Sequence, residues 1–156
     1  MSRLFFTFQN AFSSQTLLQS NPLFICSSSL DSSSSKSLCN LFPSNYSTIS
    51  KRVLPRDSDY SGSLWHGHYV GYLEEARVHH LAELGLDYSV LVNQYKTELV
   101  VYELEIKYLI PAKLGQILTI GVGVIQQKAK FVVEGMMVSV DEKNDMVIHA
   151  KSKVVL

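Results

Sequence analysis

The chain has 156 residues, of which 46% are hydrophobic and 18% are charged, and its formal net charge is zero. This balance is typical of a folded globular domain, and the lack of surplus Lys and Arg argues against nucleic acid as the main partner. No apolar run reaches the roughly 18 residues of a membrane-spanning helix, so no membrane span is expected.

Residues 1–50 differ sharply in composition from the rest of the chain. They contain 15 serines, a single acid, Asp31, and both cysteines, Cys26 and Cys39. A serine-rich, acid-poor segment cannot bury a core and is typical of an organelle transit peptide. Because arginine is nearly absent, a chloroplast is favoured over a mitochondrion. We predict a disordered transit peptide over residues 1–50 and one functional domain over residues 51–156, with an untargeted tail as the simpler alternative.

The first half of the predicted domain surrounds one amphipathic helix. A short strand is predicted over residues 49–54, followed by a loop rich in Asp, Ser and Gly that starts at Pro55. Apolar side chains then recur at helical spacing, which predicts a helix over residues 67–84 that is ended by Gly85. Residues 87–95 are ambiguous and allow a short helical turn.

After this helix the apolar pattern changes to a period of two. Within residues 98–110 the even positions from Val100 onward are apolar and several odd positions are charged, which predicts a half-buried strand. Three further strands are predicted over residues 116–127, 130–141 and 146–155. Their short connections favour antiparallel pairing. The predicted fold class is α+β, with about five antiparallel strands and one long helix packed on one face of the sheet.

The loop before the helix holds residue types that acyl hydrolysis needs. Asp57 and Asp59 form an acidic pair, and His66 and His68 flank the predicted start of the helix. The first amides of a helix lack intrahelical acceptors and carry partial positive charge, so they stabilise an oxyanion. A carboxylate held opposite them could attack a carbonyl or activate water. The pattern indicates hydrolysis of an activated acyl compound.

The same stretch resembles the motif of the 4-hydroxybenzoyl-CoA thioesterase group of hotdog-fold proteins. The resemblance covers 21 successive positions without a gap, and the matching residues are Asp57, Asp59, Gly62, Trp65, His66, Tyr69, Glu74, Ala76 and Arg77. Residues 108–115 also resemble the family's turn of sequence Pro-Ala-Arg-x-Gly, so the resemblance extends over about residues 50–156. With the plastid-like leader, the sequence is most similar to the single-hotdog acyl-carrier-protein thioesterases of plants.

The resemblance implies a fold, an activity and a set of site residues. The fold is a hotdog, in which an antiparallel sheet wraps a long central helix. The activity is hydrolysis of a fatty acyl or β-ketoacyl thioester of acyl carrier protein or coenzyme A. Asp59 is implied as the catalytic nucleophile or general base, with the thioester oxygen near the N–H of His66, whose side chain orients the loop or assists proton transfer. The implied substrate-binding residues are Trp65, Gly67, Tyr69 and Arg77.

The resemblance also bears on assembly and leaves alternatives open. Hotdog relatives place active sites at a dimer interface, so a homodimer or homotetramer is expected. Other hotdog thioesterases use a helix glutamate, which makes Glu75 or Glu74 an alternative acid, and an ion pair is the simpler role for Arg77. His66 and His68 have no carboxylate companion at ligand spacing, so neither metal nor cofactor is expected. A hotdog dehydratase and a non-catalytic acyl-binding module are the competing functions.

Overall fold

The computed structural model describes residues 42–127 and 130–156. The strands are β1 (Ser47–Arg52), β2 (Glu103–Tyr108), β3 (Ile117–Gln127), β4 (Lys130–Val140) and β5 (Met146–Val155). The helices are α1 (His66–Glu83) and α2 (Tyr88–Asn93). The strands form one antiparallel sheet in the order β1-β3-β4-β5-β2. This arrangement confirms the predicted α+β class. Neither described helix combines the length and the hydropathy that crossing a membrane requires.

Helix α1 packs its apolar face against the sheet. It begins after Trp65, whose backbone is extended (φ −61, ψ 134), and the chain leaves it at Gly85, which has a φ of 74. Its buried apolar side chains meet those of β3, the strand next to β1, and the core includes Tyr69, Leu73, Ala76, Leu81, Leu118, Ile120, Val122 and Val124. Each fully buried aliphatic side chain contributes about 1.5–3 kcal/mol. The helix predicted over residues 67–84 is confirmed to within one residue.

The strand predictions hold for β3, β4 and β5 but not fully for β2. Strands β3, β4 and β5 begin and end within one residue of the predicted bounds, whereas β2 covers Glu103–Tyr108 instead of residues 98–110. The predicted half-burial is confirmed for Ile106 but wrong for Tyr102 and Leu104, which are 76% and 43% exposed in the single chain. The cause is that β2 is an edge strand, while α1 packs over β1, β3 and β4. The alternating pattern marks an apolar surface that the described chain does not cover.

Folded residues extend to the N-terminal side of residue 51. Strand β1 begins at Ser47 and pairs with β3, so residues 47–50, which were assigned to the leader, belong to the sheet. Preceding it, the rings of Phe42 and Tyr46 lie against Gly121 and Gly123 of β3, where a Cβ would overlap them. The assignment of the leader over residues 1–41 lies outside the described residues and stays a prediction.

Candidate active site

Asp57 fixes the loop between β1 and α1. Its buried carboxylate accepts hydrogen bonds on Oδ2 from the Tyr72 hydroxyl at 2.8 Å and from the Leu54 N–H at 3.1 Å. Burial alone would raise the pKa of Asp57, but these two hydrogen bonds, with the charge of Arg56, lower it. Burial and the contact with Asp57 raise the pKa of Tyr72 to about 12. The first carboxylate of the acidic pair therefore ties the loop to α1.

Asp59 has a different environment on the same loop. Its Oδ1 accepts from the Ser61 N–H at 2.8 Å, the Ser61 hydroxyl at 2.6 Å and the Ser63 N–H at 3.2 Å. No residue in the described part of the chain donates to Oδ2. The hydrogen bond from the Ser61 hydroxyl lowers the pKa of Asp59 despite opposing desolvation, and Ser63 and the charge of Lys113 lower it further. Asp59 is thus ionised at neutral pH with one oxygen free.

The start of α1 presents unpaired amide donors. Trp65 gives the helix no side-chain cap, and its carbonyl accepts the N–H of His68 at 2.9 Å. The N–H groups of His66 and Gly67 have no acceptor within residues 42–127 and 130–156. The Trp65 ring lies so close to Gly67 that a Cβ there would overlap it. These two amides carry the partial positive charge of the helix start and are suited to bind an oxyanion.

The Asp59 loop and the helix start border one cavity of about 390 Å³. Its lining combines polar and apolar side chains and comprises Asp59, Ser61, Ser63, Leu64, His66, Tyr69, Tyr108, Leu109, Ile110 and Pro111. Two tyrosines hold the walls in place. The Tyr69 hydroxyl accepts from the Ala112 N–H at 2.9 Å, and the Tyr108 hydroxyl donates to the His66 carbonyl at 3.2 Å. A carboxylate, free amides and an apolar wall therefore meet in one space.

The structure brings together some of the predicted site residues. Asp59, His66 and Tyr69 line the cavity, whereas Trp65 and Gly67 lie at the helix start without lining it. Within the described residues, no group of three or more His, Cys, Asp or Glu side chains is arranged to hold a metal ion. The cavity thus contains the carboxylate and the helix start that the motif suggested.

Arg77 and the helix glutamates lie elsewhere. Arg77 is buried, and its Nη2 is 3.2 Å from Glu74 Oε1. Both residues line a second, mainly apolar cavity of about 220 Å³, which shares no lining residue with the first. Glu75 pairs with Lys51 of β1 at 2.6 Å and lines neither cavity. The contact with Glu74 agrees with the ion-pair role of Arg77, and the structure separates all three residues from Asp59.

Sequence reasoning missed a lysine beside Asp59. The Lys113 ammonium donates to Ser63 Oγ at 2.8 Å, across 50 positions of sequence. The two residues also form an isolated antiparallel bridge through their backbones. Lys113 belongs to the Pro-Ala-Lys-Leu-Gly turn that the resemblance included, and this was the available signal. No spacing rule connects that turn with the Asp59 loop.

The comparisons with known sequences point to one family. Residues 53–156 match the family model described as the thioesterase-like superfamily. A putative esterase of Synechocystis is 41% identical over 68 residues, which are 44% of this chain and 40% of that protein. An acyl-CoA thioesterase of Haemophilus influenzae is 31% identical over 77 residues, which are 49% of this chain and 57% of that protein. The matches thus span about half the length of these relatives.

Solved structures share the fold. A 4-hydroxybenzoyl-CoA thioesterase of Pseudomonas superposes with a TM-score of 0.65 at 16% identity, covering 72% of this chain and 83% of the other. A probable thioesterase of Bartonella henselae gives a TM-score of 0.61 at 25% identity, covering 70% and 88%. These similarities confirm the expected hotdog fold.

Proposed function

We propose an activity for this chain, which belongs to the thioesterase-like superfamily: it hydrolyses acyl thioesters of coenzyme A or acyl carrier protein. The observation that carries the proposal is the free oxygen of Asp59, which shares one cavity with the unpaired amides at the start of α1. The named activity of the Haemophilus influenzae relative supports an acyl thioester as substrate. Acyl carrier protein as an alternative carrier is our extension of that activity.

In the proposed reaction the carbonyl oxygen of the thioester accepts hydrogen bonds from the N–H groups of His66 and Gly67. One such donor contributes about 3 kcal/mol once the oxygen becomes an oxyanion. Asp59 Oδ2 either attacks the carbonyl carbon, forming an anhydride that water then cleaves, or takes a proton from an attacking water. Both routes consume one water and give a carboxylic acid and a thiol. The His66 side chain at the cavity wall delivers the proton to the leaving thiolate.

Apolar residues next to Asp59 support an acyl substrate. Leu64 and the turn that includes Ile110 and Pro111 form the apolar wall of the cavity, against which the acyl group packs. Trp65 is about half exposed beside the helix start. In this scheme its ring contacts the pantetheine arm of coenzyme A or acyl carrier protein. Arg77 takes part only indirectly in this scheme, because it lines the other cavity.

We also propose that two copies associate through β2, giving a homodimer or a tetramer built from such dimers. The outer edge of β2 has no partner strand among the described residues, and Tyr102 and Leu104 leave apolar area exposed there. Closing an open edge and burying apolar surface at about 25 cal/mol per Å² both favour association. Tyr108 and Ile110 lead from β2 into the cavity wall, so a partner at this edge borders the site.

The composition of residues 1–50 supports a plastid as the location, with the mitochondrion as alternative. A fusion of these residues to a fluorescent reporter is expected to enter chloroplasts of transfected leaf cells. A reporter that stays in the cytosol refutes the proposed address, and import into mitochondria selects the alternative.

Thiol release from matched substrates tests the activity. The purified chain is assayed with coenzyme A and acyl-carrier-protein thioesters of the same acyl groups, in parallel with Asp59→Asn. We expect the wild-type chain to release thiol and the variant to lose this activity. A dehydratase would instead remove water from a 3-hydroxyacyl thioester, and a binding module would bind substrate saturably without turnover. Either of these results, without thiol release, refutes the proposed hydrolysis.

A further inference from the structure

We propose that Lys113 is a positioning residue for Asp59 that acts through the hydroxyl groups of Ser63 and Ser61, an inference that rests on the proposed role of Asp59 in hydrolysis. The Lys113 ammonium lies 2.8 Å from Ser63 Oγ, the two serine Oγ atoms are 3.2 Å apart, and Ser61 Oγ is 2.6 Å from Asp59 Oδ1. Four polar groups from two segments that are distant in sequence thus form one continuous series of hydrogen bonds, which ends at the cavity.

Proton counting fixes the direction of the hydrogen bonds in this chain. An ammonium only donates and a carboxylate only accepts. Ser61 has a single hydroxyl proton, and the short contact of 2.6 Å commits it to Asp59, so Ser63 must be the donor in the contact between the two hydroxyls. Lys113 therefore donates to Ser63, Ser63 to Ser61, and Ser61 to Asp59. Every hydroxyl is polarised in the same sense, which strengthens the last bond.

Backbone contacts hold the two segments together without the lysine side chain. The Leu64 N–H donates to the Ala112 carbonyl at 2.8 Å, and the Leu114 N–H donates to the Gly62 carbonyl at 3.0 Å. Ser63 is buried between the loop and the turn. Loss of the Lys113 ammonium should therefore leave the loop in register, so that a variant at this position reports on the charge rather than on the fold.

The chain of hydrogen bonds gives the two oxygens of Asp59 different roles. Oδ1 receives the donors of Ser61 and Ser63 and stays fixed, whereas Oδ2 is left to act on the carbonyl or on water. Donors to the ionised form and a nearby positive charge both lower the pKa of a carboxyl group, as they do for Asp59. A nucleophile or base works only while ionised, so the network extends the activity of Asp59 to lower pH.

NMR titration of the Asp59 carboxyl carbon tests the proposal without any need for turnover. Lys113→Met keeps the apolar stem and removes the ammonium, and Ser63→Ala removes the hydroxyl that accepts from this ammonium. Lys143→Met, in the exposed turn between β4 and β5, is the matched control. We expect the Asp59 titration midpoint to rise in the first two variants and to stay unchanged in the control. An unchanged midpoint in both test variants overturns the proposal, whether or not the chain hydrolyses thioesters.

Kinetics with two substrates separates positioning from direct binding of the carrier by Lys113. The substrates are a coenzyme A thioester and an N-acetylcysteamine thioester of the same acyl group, which has no phosphate. We expect Lys113→Met to lower kcat about fivefold on both, the size of one net hydrogen bond, to move the acidic limb of the kcat–pH profile upward, and to leave KM unchanged. Lys113→Arg should restore the limb.

The opposite kinetic pattern is equally distinct. A KM that rises for the coenzyme A thioester alone, with an unmoved acidic limb, means that Lys113 binds the phosphates of the carrier, and it overturns the positioning role. A wild-type chain that cleaves neither substrate refutes the proposed function instead. In that event the NMR midpoint of Asp59 still decides whether Lys113 acts on the carboxylate.

Discussion

Two carboxylates that lie two positions apart should respond in opposite ways to the same substitution. Asp59→Asn keeps the oxygen that accepts from Ser61 and Ser63 and replaces the free Oδ2 with an amide nitrogen facing the cavity. The free energy of unfolding should therefore change little. Turnover should fall by a factor of at least about 10², because an amide neither attacks a carbonyl nor takes a proton from water.

Asp57→Asn is the matched control. Its Oδ2 accepts both the Tyr72 hydroxyl and the Leu54 N–H in a buried position, and an amide there makes weaker bonds or leaves a donor unpaired. We expect the free energy of unfolding to fall by about 1–3 kcal/mol. For a domain near 100 residues each kcal/mol lowers Tm by roughly 4–8 °C. The folded fraction should keep most of its turnover.

Thermal unfolding and steady-state thiol release, measured on both variants, distinguish the two roles. Glu75→Gln loses only the pair with Lys51, and Glu74→Gln lies at the other cavity, so both should change turnover little. His66→Ala should have an intermediate effect, because its backbone N–H remains available. Near-normal turnover of Asp59→Asn together with an inactive helix-glutamate variant would refute the assignment of the acid.

Three further results are expected. Burial lowers the pKa of His149, so the folded state loses stability as the pH falls from the unfolded pKa of about 6.5 toward the lower folded pKa. Between pH 8 and pH 5 the Tm of His149→Gln should therefore depend less on pH than the Tm of the wild type, and an equal dependence contradicts this. Leu104→Lys places charge on the exposed face of β2 and should shift sedimentation from dimer to monomer, whereas a wild-type monomer at micromolar concentration refutes the β2 interface. A variant lacking residues 1–41 should keep the wild-type Tm, and one lacking residues 1–48 should unfold at lower temperature, because it loses the start of β1 and the rings that cover β3.

Periodicity predicted which faces are apolar but not what covers them. The helix α1 and the strands β3 to β5 carry unbroken patterns of 3.6 or 2, and their apolar faces are buried within the chain. Tyr102 and Leu104 follow the same alternation, yet they are exposed because α1 packs over β1, β3 and β4 and not over the edge strand β2. A pattern in one chain does not distinguish burial against its own helix from burial against a second copy.

The site was predictable where its parts are close in sequence. Asp59 and the helix start at His66 lie within one loop, and the resemblance named both. Lys113 and Ser63 meet only because the fold brings the Pro-Ala-Lys-Leu-Gly turn to the loop, and neither residue type suggests that contact. Residue type and spacing did not distinguish the two aspartates, and only the resemblance selected Asp59. The physical difference comes from burial and hydrogen-bond partners.

The geometry of the loop explains why one aspartate serves the fold and the other faces the cavity. The chain makes a 3-10 turn over Pro55–Asp57 and becomes extended at Ser58 (φ −95, ψ 151), so the side chain of Asp57 reaches α1 while that of Asp59 reaches the cavity. The Asp57 carbonyl accepts the Trp65 N–H at 2.9 Å. This main-chain bond aligns the loop with the unpaired amides, and it survives Asp57→Asn. The carboxylate of Asp57 therefore stabilises an alignment that the backbone already makes, and Asp59 depends on that alignment to face an oxyanion across the cavity.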